Sequence, residues 1–163
     1  MPDSDPFYDV VVVVHIVGSV AGFGALACTG VFAAVARRGK TSNGEAIRRY
    51  FNGRTNWLAR TVYSVPILGL VLLAMSDGAF RFDEAWIVAS VVLWVLAVAL
   101  AELVIWPGER FISVAAEGLT SEKVDPSLRA RTGQVCLRVV MATATCVVVF
   151  AASLVIMLVK PGR

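Results

Sequence analysis

Four long apolar runs, each bounded by charge, dominate the pattern of this chain. The first extends from about Val10 to Ala36 and closes at Arg37, Arg38 and Lys40. The second covers about Trp57 to Ser76, interrupted by Arg60 and Pro66. The third covers about Ala85 to Trp106 and contains Glu102. The fourth covers about Val135 to Val159, contains Arg138 and closes at Lys160 and Pro161. Each run supplies the roughly 20 apolar residues needed to cross a hydrocarbon core about 30 Å thick. Lipid offers backbone polar groups no partner, so each run is predicted to be a helix, and the alternation of a membrane-barrel strand is absent. The predicted fold class is all-α, a polytopic four-transmembrane-helix bundle, with residues 1–163 forming a single membrane domain.

Composition agrees. Hydrophobic residues make up 58% of the chain and charged residues 17%, where a soluble domain has about a quarter charged. The first run lacks a basic leading segment and exceeds the roughly 7 to 15 apolar residues of a signal peptide, so it reads as a retained span. Cys28, Cys136 and Cys146 lie inside apolar runs and match no zinc or redox spacing, as expected of small buried residues.

Charge orients the spans. The loop after the first run carries Arg37, Arg38, Lys40, Arg48, Arg49 and Arg54 against Glu45. The loop after the third carries Arg110, Lys123, Arg129 and Arg131 with Glu109, Glu117, Glu122 and Asp125. The N-terminal tail has Asp3, Asp5 and Asp9 and no Lys or Arg, and the short link between the second and third runs is also acidic. The positive-inside rule then places both long loops in the cytoplasm and both termini outside it. Phe7, Tyr8, Trp57, Trp86 and Trp106 mark interfacial ends. The net charge of +3 reflects the face that meets anionic lipid, not nucleic acid. Within the loops, Ser42 or Asn43 can cap a short helix from about Gly44 to Phe51. Pro107 is expected to open a turn before a short amphipathic helix that stops at Gly118.

Polar residues inside spans are candidates for function. Glu102, Arg138 and Arg60 each fall about one turn from the same side, and a buried carboxylate there calls for a cationic partner. They are expected to form a structural ion pair or cluster. His15, the single histidine, lies one to two turns from the opposite side, where Met75 and Met157 could join it in a soft-metal or haem-ligating set. Otherwise it hydrogen-bonds a neighbouring helix. Gly18 and Gly22 form G-x-x-x-G, and Ala21 and Ala25 continue at four-residue spacing with Thr29 and Ala33. Such stripes let helix backbones approach closely. No G-x-S-x-G, Walker loop, zinc motif or dinucleotide fingerprint is present.

The stretch "HIVGSVAGFGA", the "IWP" that ends the third run and the close "LVIMLVKPG" resemble an uncharacterised bacterial family of small four-helix predicted integral membrane proteins. The resemblance covers essentially the whole chain and implies a fold without a defined chemistry. Copper-resistance D membrane domains are similar around a helix-one histidine and imply copper handling by His15, though their further histidines and methionine-rich pattern are absent. The bacterial four-helix protoporphyrinogen oxidases also begin with such a histidine and bind haem, but this chain has neither a second histidine nor a lysine in its third run. The resulting expectation is a non-enzymatic protein without a cofactor, engaged in helix packing or serving as an accessory subunit. Its partners would be the bilayer and another membrane protein or a second copy. The alternatives are haem or copper binding through His15 and a small transporter using Glu102.

Overall fold

The computed structural model describes residues 6–38, 44–76, 78–118 and 126–160. The helices are α1 (Pro6–Arg38), α2 (Gly44–Tyr50), α3 (Trp57–Arg60), α4 (Ser64–Ala74), α5 (Ala85–Leu100), α6 (Trp106–Gly118) and α7 (Pro126–Val159). A 3-10 turn over Thr61–Tyr63 joins α3 to α4, and a π-helical segment over Ala101–Ile105 joins α5 to α6. Four of the resulting helices are long and apolar enough to cross a membrane: Pro6–Arg38, Trp57–Ala74, Ala85–Ala116 and Pro126–Val159. The protein is an all-α, polytopic membrane protein. The positions proposed as a cap for α2, Ser42 and Asn43, lie outside the described residues.

The third span corrects one expectation, because Pro107 does not open a turn. The ring of a proline inside an α-helix collides with the carbonyl four residues back and removes one hydrogen bond. Here the segment before it widens, and the Trp106 N–H bonds the Ala101 carbonyl five residues back. The helix therefore continues through Pro107 to Gly118, and the amphipathic piece extends the span.

The helix α1 shows what solvent the fold expects. Val13, Val14, Ile16, Val17, Val20 and Val31 are exposed, whereas Ser19, Gly22, Ala25, Thr29, Gly30 and Ala33 are buried. A water-soluble helix would bury the large apolar side chains. In lipid no hydrophobic force draws helices together, so small residues take much of the interface, beside the buried Phe23 and Leu26, and most of the large ones face the hydrocarbon. Hydroxyls on the spans fold back on their own helix: Ser19 bonds the His15 carbonyl at 2.7 Å, Ser90 that of Trp86 at 2.8 Å and Ser153 that of Val149 at 2.9 Å.

The chain divides into two compact units, the first drawing on all four spans and the second on the first, third and fourth. Unit 1 comprises Met1–Ala25, Trp57–Val98 and Val148–Arg163; unit 2 comprises Leu26–Asn56 and Ala99–Val147. In unit 1, Phe23 stacks on Phe150 with ring centroids 4.6 Å apart. Lys160 ends α7 with φ 45°, and its ammonium lies 4.5 Å from the Phe80 ring centre and 5.7 Å from that of Trp86. This contact explains the lysine of the closing motif. Unit 2 has a side-chain core of Ala33, Phe51, Ile112, Cys136 and Val139, against which Ile47, Tyr50 and Phe32 pack. The loop helix α2 is thus part of a core, with its apolar side inserted among α1, α6 and α7.

Candidate functional site

In unit 1 the site begins with Pro66. Without an N–H, it leaves the Val62 carbonyl with no intrahelical donor. The Trp94 indole on α5 takes that place, its Nε1–H donating to the Val62 carbonyl at 2.9 Å. The 3-10 turn just ahead of α4 is met by the glycines of α1. A Cβ on Gly22 would lie 2.8 Å from the Val62 backbone nitrogen and 2.9 Å from Thr61 Oγ1, and one on Gly18 would lie 3.6 Å from Ser64 Oγ. The Thr61 hydroxyl is 2.8 Å from the Leu58 carbonyl and 3.2 Å from that of Gly18, so one proton serves both helices. Gly18 and Gly22 therefore face the second span of their own chain.

His15 lies one turn before Gly18 on α1. Its ring rests on α4 opposite Gly69, where an added Cβ would sit 3.5 Å from His15 Cε1, and it hydrogen-bonds the Val65 backbone. The other ring nitrogen, Nδ1, is buried and has no hydrogen-bond partner among the described residues. Met75 caps α4 six residues beyond Gly69, a rise of about 9 Å, and does not share the level of the imidazole. Met157 is half-buried on α7. Among the described residues no group of three or more His, Cys, Asp or Glu side chains is arranged to hold a metal ion.

The charged residues expected to cluster lie elsewhere. Glu102 is exposed within the π-helical segment and Arg138 is exposed on α7, both in unit 2, while Arg60 is half-buried in unit 1. The carboxylate drawn into a polar network is Glu109, on α6. Thr29 on α1, fully buried, donates from Oγ1 to Glu109 Oε1 at 2.9 Å and lies 2.8 Å from the Tyr50 hydroxyl. Asn56 Nδ2 reaches the same hydroxyl at 3.4 Å. The ends fix the direction of this chain, because an amide nitrogen only donates and an ionised carboxylate only accepts. Asn56 donates to Tyr50, Tyr50 donates to Thr29, and Thr29 donates to Glu109.

The Tyr50 ring is stacked on Phe32 at 4.1 Å and meets Phe51 edge-on at 5.0 Å. Burial pushes the Tyr50 phenol above its usual range; the Thr29 hydrogen bond opposes that shift, and the Glu109 charge adds to it. This network was missed from sequence because Glu109 and Tyr50 read as loop residues.

Close approach recurs in unit 2. A Cβ on Gly30 would run into the Thr143 side chain and one on Gly108 into that of Val139. A chain of small-residue seams, a proline-freed carbonyl and one unsatisfied imidazole nitrogen is therefore in place within spans of this length. The family model described as "Predicted integral membrane protein (DUF2269)" matches residues 9–161. The chain belongs to this family. The DUF2269 match covers all four spans and both long loops, so His15, the glycine seam and the Glu109 network all lie inside it. No curated protein and no solved structure matches the chain.

Proposed function

We propose that this DUF2269 protein has a non-enzymatic role, as a helix-packing protein that serves as an accessory subunit of a membrane assembly. In this reading it sits in a bacterial inner membrane with both termini outside the cytoplasm and its arginine-rich loops inside. The observation that carries the proposal is the Gly22 seam, where the backbone of α1 meets that of Thr61–Val62 with no room for a methyl group. The polar side chains nearby serve the same end, with Trp94 and His15 both bonding backbone of the second span. Glu102 and Arg138, exposed in unit 2, would add a structural ion pair.

The test is purification of the full chain in mild detergent, followed by an absorbance spectrum, metal analysis and identification of co-purifying membrane proteins. A colourless, metal-free preparation that retains a defined membrane partner is the expected result. A Soret band or stoichiometric copper overturns it. That outcome belongs to a second reading, favoured by the buried, unpartnered Nδ1 of His15, in which the imidazole is a ligand; His15→Ala would then abolish the signal. Orientation is checked separately. An impermeant thiol reagent should label Arg48→Cys only after cells are opened, and labelling in intact cells would reverse the topology.

A further inference from the structure

Apart from the hydrogen-bonded network, unit 2 carries an open groove of about 810 Å³ between α2 and α6. Glu45, Arg48, Arg49, Phe51 and Asn52 line it from α2 and the turn that follows, and Ser113, Val114 and Ala116 line it from α6. Of the apolar lining residues, Phe51 and Ala116 are buried, while Val114 is 72% exposed. Both arginines are exposed, so the lining carries two guanidinium side chains against one carboxylate. Their backbone is fixed. Asn52 Nδ2 donates to the Arg49 carbonyl at 3.2 Å, its Oδ1 accepts from the Arg54 N–H at 2.9 Å, and Gly53 turns the chain with φ +73°.

A planar guanidinium matches a phosphate through two parallel hydrogen bonds, which an ammonium cannot do. A volume of this order suits a small ligand, and a lining that sets two cationic side chains near apolar ones suits an amphiphile. The groove also stands on the helix that connects the first two spans, where basic side chains meet lipid headgroups. We infer that it binds the phosphate headgroup of an anionic phospholipid, with Arg48 and Arg49 on the phosphate and the glycerol end of the acyl chains along Val114. Glu45 sets the balance of charge, so that a singly charged headgroup is accommodated.

The experiment is native mass spectrometry of the full chain in a neutral detergent, titrated with phosphatidylglycerol, phosphatidylcholine or inorganic phosphate. One phosphatidylglycerol should be retained, phosphatidylcholine should not, and millimolar phosphate should leave the adduct in place. Arg48→Gln with Arg49→Gln should weaken retention at least about tenfold. Arg37→Gln with Arg38→Gln removes equal charge from the exposed end of α1 and should leave it within about twofold. Arg49→Lys keeps the charge and the fold yet should lower retention a few-fold. Equal losses in the two double variants would reveal diffuse attraction and overturn the site. Equal retention of phosphatidylcholine would do the same, and displacement by phosphate would overturn the assignment to lipid.

Discussion

Unit 1 packs parts of all four spans and unit 2 packs parts of three, and each is held together internally by different means. In unit 1, beside the Phe23–Phe150 stack, the distinctive contacts are made to main chain, as the glycines of α1 meet the 3-10 turn of the second span and the Trp94 indole reaches a main-chain carbonyl. In unit 2 the contacts run from side chain to side chain, through the core around Phe51 and the network from Asn56 to Glu109. The difference follows from sequence. Pro66 and the glycines strip the first region of side-chain bulk and leave main-chain groups to be satisfied. The second has a loop helix that brings aromatic rings and a phenol to the ends of the spans. Main-chain seams tolerate no added atoms, whereas side-chain networks tolerate changes of shape but not of hydrogen bonding.

The largest expected effect tests the seam. Gly22→Ala drives a methyl group into the Val62 backbone and Thr61 Oγ1 and should cost about 2–3 kcal/mol. Gly24→Ala, with nothing within 4 Å of the added Cβ, should be neutral or stabilising by up to about 1 kcal/mol. Denaturant titration in mixed micelles measures both, and equal losses would break the contrast. Next comes the network. Thr29→Val keeps the shape but removes the donor to Glu109 and the acceptor for Tyr50, for an expected loss of about 1–3 kcal/mol by the same titration.

Smaller is the effect of the indole. Trp94→Phe should cost about 1 kcal/mol through the orphaned Val62 carbonyl. In a Pro66→Ala background that carbonyl regains a helical donor, so the loss should shrink; an additive double-mutant cycle would refute the link between proline and indole. The smallest effect is a pH dependence. The folded protein holds the Tyr50 proton more tightly than the usual 10.0 because of burial. Stability is therefore full below about pH 10 and falls as pH rises through the elevated value. Ultraviolet titration should show a late tyrosine ionisation, and Tyr50→Phe should remove that phase.

Periodicity alone revealed a good part of this. The runs that predicted spans over 57–76 and 85–106 correspond to helices at Trp57–Ala74 and Ala85–Ala116, because apolar length is a direct physical requirement of crossing lipid. The G-x-x-x-G stripe was readable as a seam, but its partner was not, since the partner is main chain and leaves no mark in side-chain pattern. Glu109 was hidden by Pro107. A proline after a span reads as a stop, and the π-helical segment that accommodates Pro107 lets the helix run on and carry Glu109 to Thr29. Glu102 shows the converse, because apolar context suggested burial and the exposed face it occupies depends on helix rotation. The Pro66 vacancy could have been inferred, though not that Trp94, twenty-eight positions later, would fill it.

The loop helix α2 lodges Ile47 and Phe51 against Ile112 of α6 and Cys136 and Val139 of α7. That arrangement imposes an order on biogenesis. As the chain leaves the ribosome, the connection between the first two spans is synthesised more than eighty residues before the last surface it docks on. Phe51 must wait undocked while the later spans are made, and any chain stopped before α7 is left with an aromatic plug and no socket.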